Sequence, residues 1–280
     1  MIPKTFKGFF DGTSFNSDFG SDSNGELEFT ENQILLPDHL PGVAATMTIP
    51  RPACCFFDAF GTLIYPEPNA AVVYHEFGQR YGDRRNLATI RQLLEQQLAQ
   101  VMGPQILGPT SPAVEVERWK SVVQGIFGHL PNWQSLFDEL WSHFSSPQNW
   151  RLFADAVEPI RCLKQEGIVL GIASNFDARL YSICQGLPPL SKLDRIFISA
   201  ELGWRKPSPE FFQAICERLG QLPSHICMIG DDWEFDAQAA RACGWHSIHI
   251  DRRQTEPILI LPDQTMRIRS LTQLPLLLLS

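Results

Sequence analysis

Two rhythms alternate along the chain. Short runs of apolar and β-branched residues stand at CCFF (54–57), IVLGIAS (168–174), RIFIS (195–199), ICMIG (226–230) and HSIHI (246–250). Longer stretches between them repeat apolar residues every three or four positions, among them PEFFQAICERLG (209–220) and DAQAARACG (236–244), each ending on a glycine. The short runs read as strands buried on both faces, and the longer ones as helices closed by a C-terminal glycine. Strands that alternate with helices pair in parallel, so the pattern predicts an α/β fold with a doubly wound parallel sheet.

One interval breaks the alternation. After the first strand the chain carries only helical periodicity, in NLATIRQLLEQQLAQVM (86–102), VERWKSVVQGIFGHL (116–130) and WQSLFDELWSHF (133–144), with no strand pattern before residue 168. The predicted architecture is a core of residues 47–66 and 155–280 with a helical insertion over 67–154. The aromatic stripe Trp119, Phe127, Trp133, Phe137 and Trp141 is expected to pack as the insertion's own core. Ahead of the first strand, residues 1–46 include GTSFNSDFGSDSNG and show neither periodicity. They are expected to form a disordered extension, with Met47 as an ordinary starting point for the folded chain.

Charge and composition narrow the partners. With 23 Lys plus Arg against 31 Asp plus Glu the net charge is −8, and no basic stripe with interleaved aromatics occurs. Nucleic acid is therefore not an expected partner. No apolar run reaches the roughly 18 residues a membrane helix needs, and the leucines at 276–279 are expected to close a core. Seven scattered cysteines, an odd number without a C-x-x-C pair, read as reduced, buried side chains of a cytoplasmic protein. A monomer or homodimer acting on a small molecule is the expected form.

In doubly wound sheets ligands bind beyond the carboxyl ends of the strands. Asp58 follows the first strand at once, and a carboxylate at the end of an apolar strand needs a cleft or a cation to accept its charge. Ser174 and Asn175 close the second strand, Asp231 and Asp232 follow the fourth, Asp236 lies just beyond, and Lys206 sits in GWRKPSPEFF. Carboxylates gathered on one sheet edge repel one another unless neutralised, and an oxygen-only set beside a lysine suits magnesium and a phosphate. Taken singly, each has a plainer reading: a helix cap for Asp58, a strand-end hydrogen bond for Ser174, a solvated group for Lys206. One of Asp231, Asp232 and Asp236 is expected to be only an N-cap.

DAFGTL, IASNFD, the lysine of WRKPSPEFF and MIGDDWEFD, in that order, resemble the four motifs of the haloacid dehalogenase superfamily of hydrolases, most of which are magnesium-dependent phosphatases. The helical insertion resembles that superfamily's mobile cap. The resemblance implies Asp58 as a nucleophile that forms an aspartyl-phosphate, with Thr62 fixing the motif turn. Ser174 and the amide of Asn175 would hold phosphoryl oxygens, and Lys206 would neutralise nucleophile and transferring group. It also implies Mg2+ in the cluster of Asp58, Asp231 and Asp236 with the backbone carbonyl of Phe60, one of Asp232 and Asp236 lying behind the direct ligands.

Phe60 departs from the pattern. Phosphatases of the superfamily carry a second aspartate at that position, and general acid–base catalysis contributes roughly 10²–10⁴-fold. Three readings follow: a phosphatase that is slow or limited to good leaving groups, a carbon–halogen hydrolase working through an ester on Asp58, and a phosphate-binding or regulatory protein without turnover.

Overall fold

The computed structural model describes residues 49–103, 106, 108–262 and 265–279; the expected extension over 1–46 and the start at Met47 lie outside the described residues. The strands are β1 (Cys54–Phe57), β2 (Ile64–Pro66), β3 (Trp150–Leu152), β4 (Val169–Ser174), β5 (Arg195–Ile198), β6 (Ile226–Gly230), β7 (His246–Ile250), β8 (Ile258–Ile260) and β9 (Met266–Ile268). Seven of them form one sheet in the order β5, β4, β1, β6, β7, β9, β8, parallel except where β8 runs against β9. In β1, Cys54 pairs with Val169 on one side and Ile226 on the other. Cys55 and Phe57 belong to one apolar cluster, Cys54 and Phe56 to a second, so the strand is buried on both faces as its composition requires. From β1 the chain steps outward to β4 and β5, then returns to β6 and β7 on the far side. The order reverses at β1, and a crevice opens at its carboxyl end.

Between β2 and β3 run four helices, α1 (Ala70–Arg80), α2 (Leu87–Met102), α3 (Pro112–Phe127) and α4 (Trp133–Ser145). Asn69 and Asn86 cap the first two, their side-chain oxygens accepting the amides of Val72 at 3.1 Å and Thr89 at 2.9 Å. Around the sheet lie α5 (Val157–Gln165), α6 (Arg179–Gly186), α7 (Ser199–Leu202), α8 (Pro209–Leu219), a π-helical turn (Trp233–Gln238), α9 (Ala239–Ala242) and α10 (Leu274–Leu278). Gly220 and Gly244 follow α8 and α9 with φ of 62° and 82°, as closing glycines do. No described helix is long and apolar enough to cross a membrane.

Four strands depart from the sequence expectation. β2 and β3 make an antiparallel ribbon, Pro66 opposite Trp150, through which the helical segment leaves and rejoins the core. Only three residues long, each is too short to carry a period of two. β8 and β9 extend the sheet edge for the same few residues, with Leu259 and Ile260 largely exposed. Ser199, expected to end the third strand, instead opens α7. Of the C-terminal leucines, Leu277 and Leu278 are buried while Leu276 is exposed.

Candidate active site

The turn after β1 is built around Gly61. The amide of Asp58 continues the pairing with β6 by donating to the Ile229 carbonyl at 2.8 Å, and the amides of Leu63 and Ile64 both return to the Ala59 carbonyl. Gly61 takes a φ of 82°, and a Cβ there would lie 2.4 Å from Asp231 Oδ2, so only glycine fits. Thr62 then binds Asp231 twice. Its Oγ1 donates to Asp231 Oδ1 at 2.9 Å and accepts the Asp231 amide at 3.0 Å. The threonine expected to fix its own turn thus also fastens the end of β6 to it.

Lys206 reaches this point from the loop before α8. Its Nζ donates to Asp58 Oδ1 at 2.7 Å, to Asp236 Oδ1 at 2.5 Å and to the Ala173 carbonyl at 2.9 Å, which uses all three protons. Asn175 holds the lysine's backbone: its Oδ1 accepts the Lys206 amide at 2.8 Å and its Nδ2 donates to the Lys206 carbonyl at 2.9 Å. Burial alone would lower the ammonium's pKa, but the charges of Asp236 and Asp58 more than offset it and hold the pKa above the usual lysine value.

Asp58, Asp231 and Asp236 each offer an oxygen within 4.8 Å of the others. Burial, followed by the Asp58 charge, pushes the Asp231 carboxyl up to about 7. Burial also raises Asp236, against the pull of Lys206. Such mutual strain is what a cation would relieve, and an all-oxygen set suits a hard divalent ion, so these residues fit magnesium. Asp232 is the capping acid: its Oδ1 accepts the amides of Glu234 and Phe235 at 2.8 Å each. Asp232's own amide donates to Asp236 Oδ2 at 3.1 Å, so both Asp236 oxygens are engaged.

Above the cluster lies a cavity of about 90 Å³. Asp58, Ser174, Asn175, Lys206 and Asp236 line its inner end together with the Phe60 side chain, and the helical segment supplies much of the rest. Here the aromatic stripe departs from expectation. Trp119, Phe137 and Trp141 face this cavity, whereas Phe127 stacks on Tyr74 with ring centroids 6.3 Å apart inside the helical layer. Trp133 is only partly buried, packed against the core. Periodicity marks a face as apolar but not what it meets.

Several site residues carried no sequence signal. Arg252, just past β7, donates to the Gly61 and Thr62 carbonyls at 2.8 Å each and pairs with Asp155 at 3.0 Å, clamping the turn that follows Asp58. His249 Nδ1 accepts from Arg267 Nε at 3.0 Å, so Nε2 carries the proton and donates to the Asp231 carbonyl at 3.1 Å. Two arginines also line the cavity, Arg179 paired with Asp177 and Arg205 paired with Glu115. Only Arg252 had a visible hint: its place at the same carboxyl edge as the motif residues.

Residues 52–244 match the haloacid dehalogenase-like hydrolases, and the chain belongs to that family. Within it, the chain is 34% identical over 113 residues to the bovine haloacid dehalogenase-like hydrolase domain-containing protein 3, covering 40% of this chain and 45% of that protein. The matched region thus spans about half the length of the curated relatives it resembles. Among solved structures, the defluorinating L-2-haloacid dehalogenase Rha0230 superposes with a TM-score of 0.65 at 19% identity, covering 83% of this chain and all of that one. The HAD-hydrolase YfnB from Bacillus subtilis, solved bound to magnesium, superposes with a TM-score of 0.61 at 20% identity over 82% of this chain and 100% of that one. At these identities the likeness is one of fold.

Proposed function

We propose that this hydrolase is a magnesium-dependent phosphomonoesterase of the cytoplasm, a monomer or homodimer that acts on a small phosphorylated molecule through Asp58. The observation that carries the reading is the Lys206 ammonium bonded at once to Asp58 and Asp236, with Asp231 completing an acidic cluster beneath a cavity. Magnesium would be held by Asp58, Asp231 and the backbone carbonyl of Phe60, and when bound it supplies charge neutralisation for the transferring group. The magnesium-bound Bacillus relative supports that assignment. Asp236, with both oxygens already engaged, steadies Lys206 from behind.

In this reading the Asp58 carboxylate attacks phosphorus, the bond to the ester oxygen breaks, and an aspartyl-phosphate forms; water then releases phosphate and restores Asp58. Ser174 and the Asn175 amide orient the phosphoryl oxygens, and Lys206 offsets the charge shared between nucleophile and phosphoryl group. The four helices act as the cap, closing the cavity to bulk water. All seven cysteines are free, in keeping with a reducing compartment.

Phe60 favours a second reading. Its ring occupies the position of the proton donor, and a halide leaves without one, so carbon–halogen hydrolysis through an ester on Asp58 fits that residue. A screen of phosphate monoesters and 2-haloacids, with magnesium and with excess chelator, separates the two. Phosphate release that chelator abolishes is expected; halide release that chelator leaves intact would replace the proposal.

A further inference from the structure

We propose that the phosphate ester taken by this site is that of a phenol, an aryl rather than an alkyl phosphate. The inference rests on the phosphatase reading and narrows it to a substrate class.

The cavity wall is the first observation. Beyond the polar floor, Phe60 meets Trp150 edge-on at 6.3 Å, Trp150 lies 6.0 Å from Phe176, and Trp119 and Trp141 close the side formed by the helices. The two arginines that reach the cavity are already paired. Arg179 places its Cζ over Trp141, 3.7 Å from the ring centroid, and forks onto Asp177, Nε to Oδ1 at 2.8 Å and Nη2 to Oδ2 at 2.6 Å. Arg205 NH1 donates to both oxygens of the buried Glu115, at 2.8 and 2.7 Å, and Arg118 also holds that acid. Both guanidiniums are thus held in place by carboxylates, and the rest of the wall that meets the substrate's body is largely aromatic and aliphatic. A hydroxyl-rich body would lay unpaired polar groups against aromatic rings, which is unfavourable. A ring gains apolar burial and edge or face contacts instead.

The second observation is chemical. The Phe60 ring stands two residues after Asp58, where it can protonate nothing. When the bond from Asp58 to phosphorus forms, the electron pair of the breaking ester bond must leave on oxygen, and the proton comes afterwards from solvent. A phenol, which ionises near pH 10 as tyrosine does, carries that charge; an alkoxide, closer to hydroxide, does not. Wall and leaving group therefore select the same compound.

Recognition and leaving-group chemistry are separable. With magnesium present, binding of phenylphosphonate and methylphosphonate, neither of which can be hydrolysed at the P–C bond, is followed by tryptophan fluorescence. Phenylphosphonate should bind about tenfold tighter or more, as burial of a ring implies, and Trp141→Leu should reduce the ratio. In turnover, benzyl phosphate should show a lower KM than glycerol phosphate at a similarly low kcat, and phenyl phosphate should raise kcat. Equal binding of the two phosphonates, or a kcat for phenyl phosphate no higher than for benzyl phosphate, would overturn the proposal. Tight phenylphosphonate binding with no ester hydrolysed would uphold the recognition and remove the phosphatase reading.

Discussion

Glu115 is the acid on which the helical segment meets the core, and replacing it by glutamine tests that junction. It sits on α3 and is almost fully buried. Its Oε1 accepts from Arg205, Arg118 and Thr110 at 2.8, 2.7 and 2.6 Å, and its Oε2 from Arg205 at 2.7 Å. Glu115→Gln keeps the shape but points an amide N–H at a guanidinium and leaves two arginines, with side chains 9% and 13% exposed, without their shared anion. Removing one partner of a buried pair costs roughly 3–5 kcal/mol, and two cations depend on this one, so a loss of about 4 kcal/mol is expected. That is a large part of a typical stability of roughly 5–15 kcal/mol. Urea unfolding followed by circular dichroism and tryptophan fluorescence measures it. A triple variant, Glu115→Met with Arg118→Leu and Arg205→Met, should recover most of the loss, because apolar replacement of a whole buried charge group is often neutral. A single-variant loss below about 1 kcal/mol, the scale of a surface pair, would refute the reasoning.

Three further outcomes follow. Asp58→Asn should abolish phosphate release yet raise the stability of the metal-free protein, since the Asp58 charge helps push Asp231 up; residual turnover above a trace, or lower stability in urea, counts against it. Asp231, at about 7 in the fold against 3.8 for the free side chain, keeps a proton that the unfolded chain has released, so its contribution turns unfavourable as pH rises from 3.8 to 7. The melting-temperature difference between Asp231→Asn and wild type, measured without metal, should therefore widen in the variant's favour over that range, and a constant difference would refute it. Arg252→Met removes charge-assisted bonds to the Gly61 and Thr62 carbonyls, and should lower kcat/KM by roughly tenfold or more through a loosened turn after Asp58, whereas unchanged kinetics would make the residue purely structural.

What the sequence disclosed and what it hid divide along a physical line. Five strands were legible because each is an apolar run bounded by helical periodicity, and a parallel sheet then brings every strand's carboxyl end to one edge. That alone gathers Asp58, Ser174, Lys206 and Asp231 without knowledge of any contact. The ribbon of β2 and β3 was hidden by its brevity. The Arg205 to Glu115 pair spans 90 residues and the Arg252 to Gly61 bond spans 191, with no period linking the partners. The aromatic stripe misled because a helix face facing a cavity and one facing its neighbour have the same spacing.

The charge balance of the cluster ties these parts together. Three carboxylates, on Asp58, Asp231 and Asp236, meet one ammonium, and that ammonium bonds only two of them. Asp231 is left with a threonine hydroxyl instead, and burial pushes its carboxyl up to about 7 while also raising Asp236 against the pull of the lysine. The protein alone thus leaves a deficit of two positive charges among buried oxygens, and near neutral pH a proton on Asp231 fills half of it. A divalent ion would fill all of it and take that proton's place, whereas a monovalent ion would leave one carboxylate uncompensated in a medium where that is expensive. The lone acid at the end of an apolar strand is therefore tolerated because its charge is met by a lysine arriving from 148 residues away and, under the proposed function, would be met a second time by the divalent ion.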